Sequence, residues 1–212
     1  MTNWRISWLA VFFIVLIWSG INPKDFTTWV LEVVPALIAI VLLFYTRNSF
    51  PLTTLTYTLI LVHCVILMVG GHYTYAEVPI GDLFRDLFDG SRNNYDKLGH
   101  VAQGFVPAII AREIVLRKNV FSSKAWMNFF IVSMCLGISA FYELIEWWVA
   151  LASDEAADAF LGTQGYVWDT QSDMGLALAG AIVALLVLSG VHDKQLRGLA
   201  SPTNLARENF AP

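Results

Sequence analysis

NNYDKLGHVAQGF, residues 93–105, opens a long apolar segment and yet carries Asp96, Lys97, His100 and Gln103. A helix entering lipid has no water to solvate such groups, and an ionised carboxylate at its centre costs about 2.5–3.5 kcal/mol on insertion scales. These side chains therefore need partners at the same depth on other helices, and the rest of the chain has to supply them.

Of the 212 residues, 57% are hydrophobic and 14% charged. A soluble domain carries about 25% charged residues. Six apolar runs approach the roughly 20 residues that cross a hydrocarbon core about 30 Å thick. The fold class is therefore all-α: a polytopic six-transmembrane-helix bundle with spans over 4–20, 29–46, 52–71, 97–116, 126–150 and 172–191. It is read as one bundle domain, 1–195, followed by a C-terminal tail, 196–212. The first run meets no small-x-small cleavage site before Asn22-Pro23, so it reads as a retained span. Cys64 and Cys135 lie inside apolar runs and read as free thiols. A net charge of −4 gives no case for nucleic acid.

Lysine and arginine set the orientation. One side of the serpentine holds Arg5, Arg47, Arg112, Arg117, Lys118, Lys124, Lys194, Arg197 and Arg207; the other holds Lys24, Arg85, Arg92 and Lys97. The richer side is expected in the cytoplasm, with both termini. Between spans three and four, Ile80, Leu83, Phe84, Leu87 and Phe88 fall on the stripe of an amphipathic helix. It is expected to lie flat on the outer interface, as a connector or as a flap over a site.

Alternation of direction then gathers the polar residues. Glu32 enters near the start of span two, His72 at the end of span three, and Asp96, Lys97 and His100 at the start of span four. Glu143 and Glu146 close span five, and Asp169 and Asp173 open span six. All arrive in the outer half. Asp96 and His100 are four apart and Glu143 and Glu146 three apart, so each pair shares a helix face. At 1.5 Å per residue His100 lies only ~5–8 Å below its helix start, and Glu143 roughly 10 Å below its helix end. Gly99, Gly104, Gly137, Ala140 and Gly175 are expected to allow close helix approach. Trp147, Trp148, Trp168, Tyr95 and Tyr166 mark an aromatic belt. Asp154, Glu155 and Asp158 read as solvated, and Gly162-Thr163-Gln164-Gly165 as a turn.

So many acids cannot all stay charged at close range. A carboxylate set with imidazole suits a divalent metal such as Mg²⁺, Mn²⁺, Zn²⁺ or Fe. The expected ligands are Asp96, His100, Glu143, Glu146, Asp169 and Asp173. His72 is read as a further ligand or acid/base and Lys97 as a holder of an anionic head group. The chemistry pointed to is a membrane-embedded hydrolase or transferase acting on a lipid or lipid-linked envelope substrate. Three alternatives stand beside it: a satisfied structural network, an ion- or proton-coupled transporter, and a non-catalytic lipid-binding protein. A transporter needs polar groups in the inner half, where His63 is the one stepping stone and spans four to six read as apolar.

GGHYTYAEVP (70–79), RNNYDKLGHVAQGFVPA (92–108), YELIEWW (142–148) and GTQGYVWDTQSDM (162–174) together resemble the YjdF-type family of bacterial inner-membrane proteins. Less closely, Asp96-Lys97-x-x-His100, the acidic turn at 143–146 and Asp169-x-x-x-Asp173 are similar to the VanZ-like family. VanZ-like sequences commonly place Asn four residues after the last Asp, where this chain has Ala177. The resemblance implies an inner-membrane location and a site at the outer face, and no particular reaction.

Overall fold

The computed structural model describes residues 3–87, 92–152 and 167–199. Among these residues the protein is all-helical: α1 (Asn3–Ser19), α2 (Phe26–Thr46), α3 (Thr54–Tyr73), a 3₁₀ turn (Tyr75–Glu77), α4 (Pro79–Leu87), α5 (Tyr95–Arg117), α6 (Lys124–Ala152) and α7 (Asp169–Leu199). Local chemistry sets several ends. The Asp25 carboxylate accepts from the Thr28 amide at 2.6 Å and caps α2. The Thr53 hydroxyl caps α3. Pro79 opens α4, where a missing N–H costs nothing.

Four of these helices, α2, α3, α6 and α7, are long and apolar enough to cross a membrane. α1 is apolar but has only 17 residues. α5 is long enough at 23 residues, yet it is the helix that carries the polar groups.

The direction of each helix follows from which residues touch. α1 runs parallel to α3: Trp8 Nε1 donates to the Tyr57 carbonyl at 2.8 Å near one end, and His72 Nδ1 lies 3.0 Å from the Ser19 carbonyl at the other. α3 opposes α5, since Thr53 meets Glu113 while the Tyr95 hydroxyl donates to the Ile66 carbonyl. α5 runs parallel to α7, with Arg92 on Asp169 and Arg112 on Asp193. The long helices thus form a serpentine bundle.

α5 is its axis. Twelve of its 23 residues are buried. On one side Ala108 and Ile109 pack with Ile131 and Cys135 of α6 and Ala181 and Leu185 of α7. On the other, Val106 joins Trp8, Phe12, Val33, Ile60 and Met68. A polar helix in the centre follows from simple physics: groups that lipid rejects are tolerated where other helices cover them. The outer faces carry large apolar side chains such as Ile14, Ile38 and Leu186.

α5 and α7 touch backbone to backbone. A Cβ on Gly104 would sit 1.7 Å from the Ala177 carbonyl oxygen, and one on Gly180 would sit 2.3 Å from that of Val101. Neither position admits a side chain without separating the helices. Of the expected small-residue contacts, Gly104 and Gly99 meet partners, whereas Gly137 and Gly175 face open space. Gly180 carries the contact expected of Gly175. Five residues further along α7, it is the glycine whose Cα faces α5.

α4 is amphipathic as expected. Ile80, Leu83, Phe84 and Leu87 are exposed, and Asp82 pairs with Arg85 at 2.8 Å. Asn93 ties its start to α5 by donating to the Val78 carbonyl and to Asp82. Trp147, Trp148 and Trp168 are exposed, but Tyr95 is buried and belongs to the core instead of the belt. α7 runs past the expected domain boundary at 195 to Leu199. Phe88, Asp154, Glu155, Asp158, Tyr166 and the turn at 162–165 lie outside the described residues. Both cysteines are free and buried.

Candidate functional site

His100 sits one turn inside α5 and is the hub of the polar cluster. Its Nδ1 lies 3.3 Å from Gln103 Oε1. An amide oxygen only accepts, so Nδ1 carries the proton and donates. Nε2 is thereby turned toward acids: Asp96 Oδ1 at 3.3 Å, Glu143 Oε1 at 3.9 Å and Asp173 Oδ2 at 3.9 Å. These come from three helices, and the backbone contact at Gly104 brings α7 close enough to supply Asp173.

Two oxygens in the cluster are buried without a hydrogen-bond partner, Glu143 Oε1 and Asp173 Oδ1. Their side chains are only 9% and 6% exposed. A buried carboxylate oxygen left unpaired costs on the order of 1–3 kcal/mol or more. Two triads have ligand atoms within 4.8 Å of one another, Asp96–His100–Asp173 and His100–Glu143–Glu146. Both use His100, so five of the six expected metal residues come together, four acids around the imidazole of the fifth.

The sixth, Asp169, stands at the edge of the group. It is the first residue of α7, and Arg92 Nη1 reaches both its oxygens at 3.0 and 3.2 Å. Arg92 Nη2 also lies 3.9 Å from Asp96. Arg92 had been read only as a loop charge, yet it clamps the start of α5 to the start of α7. Lys97 is half-buried in the first turn of α5.

His72 is not brought into the cluster. Its ring packs on Trp18, with centroids 4.5 Å apart, and meets the Ser19 carbonyl. Its position at the helix end placed it at the right depth, but on the face of α3 that turns to α1.

On the opposite flank, Glu32 is buried on α2, and its hydrogen-bond partners are the hydroxyls of Tyr75 and Tyr142. The Tyr75 ring lies against Gly70 and Gly99, where a Cβ would come within 3 Å of it. Burial holds the Tyr75 phenol well above its ordinary pKa, and Glu32 adds to the shift, so Tyr75 stays a donor. Sequence reading had left Glu32 open and passed over both tyrosines. The signal was present in YELIEWW: Tyr142 and Glu146 are four apart and share a face.

The other end of the bundle is not apolar, contrary to expectation. Glu113 is fully buried on α5. It accepts from the Thr53 amide at 2.9 Å and from the Thr53 and Thr56 hydroxyls at 2.8 and 2.7 Å. Arg117 lies 3.2 Å away and His192 Nε2 3.1 Å. Arg112 Nη1 is 3.1 Å from His192 Nδ1, and since Arg only donates, His192 holds its proton on Nε2 and donates it in a hydrogen bond to Glu113. Glu113 therefore caps α3 from a neighbouring helix. Its contacts are satisfied, which distinguishes it from the outer cluster.

Comparison with known proteins agrees with this picture of a membrane protein. The family model for predicted membrane proteins DUF2238 matches residues 4–194. Inner membrane protein YjdF of Escherichia coli (strain K12) is 51% identical over 184 residues, covering 87% of this chain and 88% of that one. No solved structure matches. The chain belongs to the DUF2238 family and is an integral, multi-pass inner-membrane protein. The more distant likeness to the VanZ-like family finds no support in these matches. Ala177, where that family has Asn, is fully buried against Gly104.

Proposed function

We propose that this DUF2238 member is a membrane-embedded enzyme, a hydrolase or transferase, that holds a divalent cation around His100 and acts on a lipid or lipid-linked substrate. The observation that carries the reading is the pair of buried, unpartnered oxygens beside His100: Glu143 Oε1, 3.9 Å from Nε2, and Asp173 Oδ1, whose sister oxygen Oδ2 lies 3.9 Å from the same nitrogen. With Nδ1 donating to Gln103, a bare Nε2 would direct its lone pair at three carboxylates. That arrangement calls for a positive centre among them, and imidazole with carboxylates is the ligand set of Mg²⁺, Mn²⁺, Zn²⁺ or Fe. Asp96, His100 and Asp173 form one ligand set and His100, Glu143 and Glu146 the other. A cation there would polarise a phosphoryl or acyl oxygen and lower the pKa of a bound water. Arg92 and Asp169 fix the relative position of α5 and α7, and Lys97 stands at the rim for an anionic head group.

In this reading all six long helices cross the bilayer, with α1 short and α5 shielded by its neighbours. The site lies in the outer leaflet half, both termini are cytoplasmic, and α4 rests its exposed apolar stripe on the outer interface.

Metal analysis of the purified protein tests the proposal. Near one equivalent of a divalent metal is expected in the native chain, with loss of most of it in Asp96→Ala and Glu143→Ala. A folded native protein that takes up no divalent ion overturns the reading and leaves a protonated His100 as the positive centre of a structural network.

A further inference from the structure

From the His100 cluster a cleft of about 700 Å³ runs along the bundle. Residues of α2, α3, α5 and α6 line it. At its head are Glu32, Tyr75, Asp96, His100, Tyr142 and Glu146. At its far mouth are Thr46, Ser49, Phe50 and Lys118. In between, Ala39, Leu43, Val106, Ile110 and Ile138 give an apolar lining interrupted by His63 and the Cys64 thiol.

Two dimensions restrict what fits. From His100 to Lys118 α5 rises roughly 27 Å at 1.5 Å per residue. That is close to the whole hydrocarbon thickness of about 30 Å and well beyond one leaflet. Along that length the cleft is continuous and wide enough for a hydrocarbon chain to lie in it. An ordinary diacyl lipid has two chains, and each ends near the bilayer midplane, leaving the lower half of the cleft unfilled. An empty apolar channel forfeits contacts along its whole lining. The shape fits a single chain longer than a leaflet, and the polar head fits a small group that the His100 site can grip.

We infer that the substrate is a polyisoprenyl phosphate, its tail laid along the α2–α6 cleft toward Lys118 and its phosphate at the His100 cluster. The head-group half of this assignment rests on the proposed cation, because a phosphate among carboxylates needs a cation to bridge them. The tail half rests on the cleft alone. Ala39 lines the wall on α2 and is only partly buried, so a larger side chain there projects into the path of the tail.

The experiment uses the full chain in phospholipid nanodiscs with a photoreactive long-chain polyisoprenyl monophosphate. Saturable labelling of peptides from α2 and α5 is expected, against the constant excess of diacyl lipid. Unlabelled long-chain phosphate should compete, and a phosphate bearing only three isoprene units should compete at least tenfold less well. Ala39→Trp should cut labelling at least tenfold while bound metal per protein is unchanged. Ile138→Trp on α6 serves if Ala39→Trp does not fold, and the chain-length competition on the native protein decides if neither does. Equal competition by the short chain, or labelling unaffected by a folded wall variant, overturns the inference. Metal uptake without labelling sinks the isoprenoid alone. Labelling without metal supports the tail assignment and sinks the cation.

Discussion

Gln103 decides the behaviour of its neighbour. By accepting from Nδ1 it leaves His100 Nε2 as the atom that meets the acids. Outer partners of ligating histidines typically alter metal affinity 10–100-fold when removed. Gln103→Leu is therefore expected to weaken divalent metal binding by roughly that factor with little change in thermal stability, measured by titration and by thermal unfolding in detergent. Asp25 makes a different prediction. The Thr28 amide and hydroxyl hold its carboxyl below the ordinary carboxylate range. A depressed acid adds stability above its unfolded pKa, near 3.9, and loses it as the pH falls through the lower folded value. Asp25→Ala should cost about 1 kcal/mol at neutral pH. The gap between variant and native protein should close only at strongly acid pH.

At the scale of the element, α5 shows why helices were easier to find than their faces. Apolar runs and their breakers located the long helices to within a few residues, except that α7 runs eight residues past its expected end at 191, and alternation of direction put Asp96, His100, Glu143, Glu146 and Asp173 at one depth. Depth is a property of position along a helix, which the sequence carries. Rotation about the axis depends on which neighbour is present, and here the reading failed. His72 had the depth and the wrong face. Glu113 and His192 give no sign in the sequence and Arg112 only a charge that sets orientation, because their partners are 57 to 81 positions away in the chain. Arg92 was hidden for the same reason. The α5–α7 contact gives the test: Gly104→Leu must part the two backbones. It should lower the unfolding temperature sharply and abolish metal binding, since Asp173 is carried off with α7. Gly175→Leu, placed in open space, should leave both unchanged.

For the whole molecule the sequence supplied the class and the threading, while the six crossings and their orientation belong to the proposal. Cysteine-accessibility labelling checks them. Single cysteines at Asn22 and Glu77 should react with an impermeant reagent from the periplasm, and at Asn48 and Lys194 only after permeabilisation. The two polar centres are also separate. The stretch of α5 from Phe105 to Ala111 contains no ionisable side chain. Reconstituted protein should therefore carry no proton current, read with a pH-sensitive dye in liposomes, and a sustained flux would favour transport over catalysis.

Glu113 lends its carboxylate to the amide of Thr53, the residue that caps α3, although α3 is made sixty residues earlier. During biogenesis the nascent α3 must leave the translocon with only its own Thr53 cap at that end. It remains so until α5 follows, and α7 then arrives to deliver His192. The early half of the chain is thus a provisional product, its polar end completed only when the last hairpin closes.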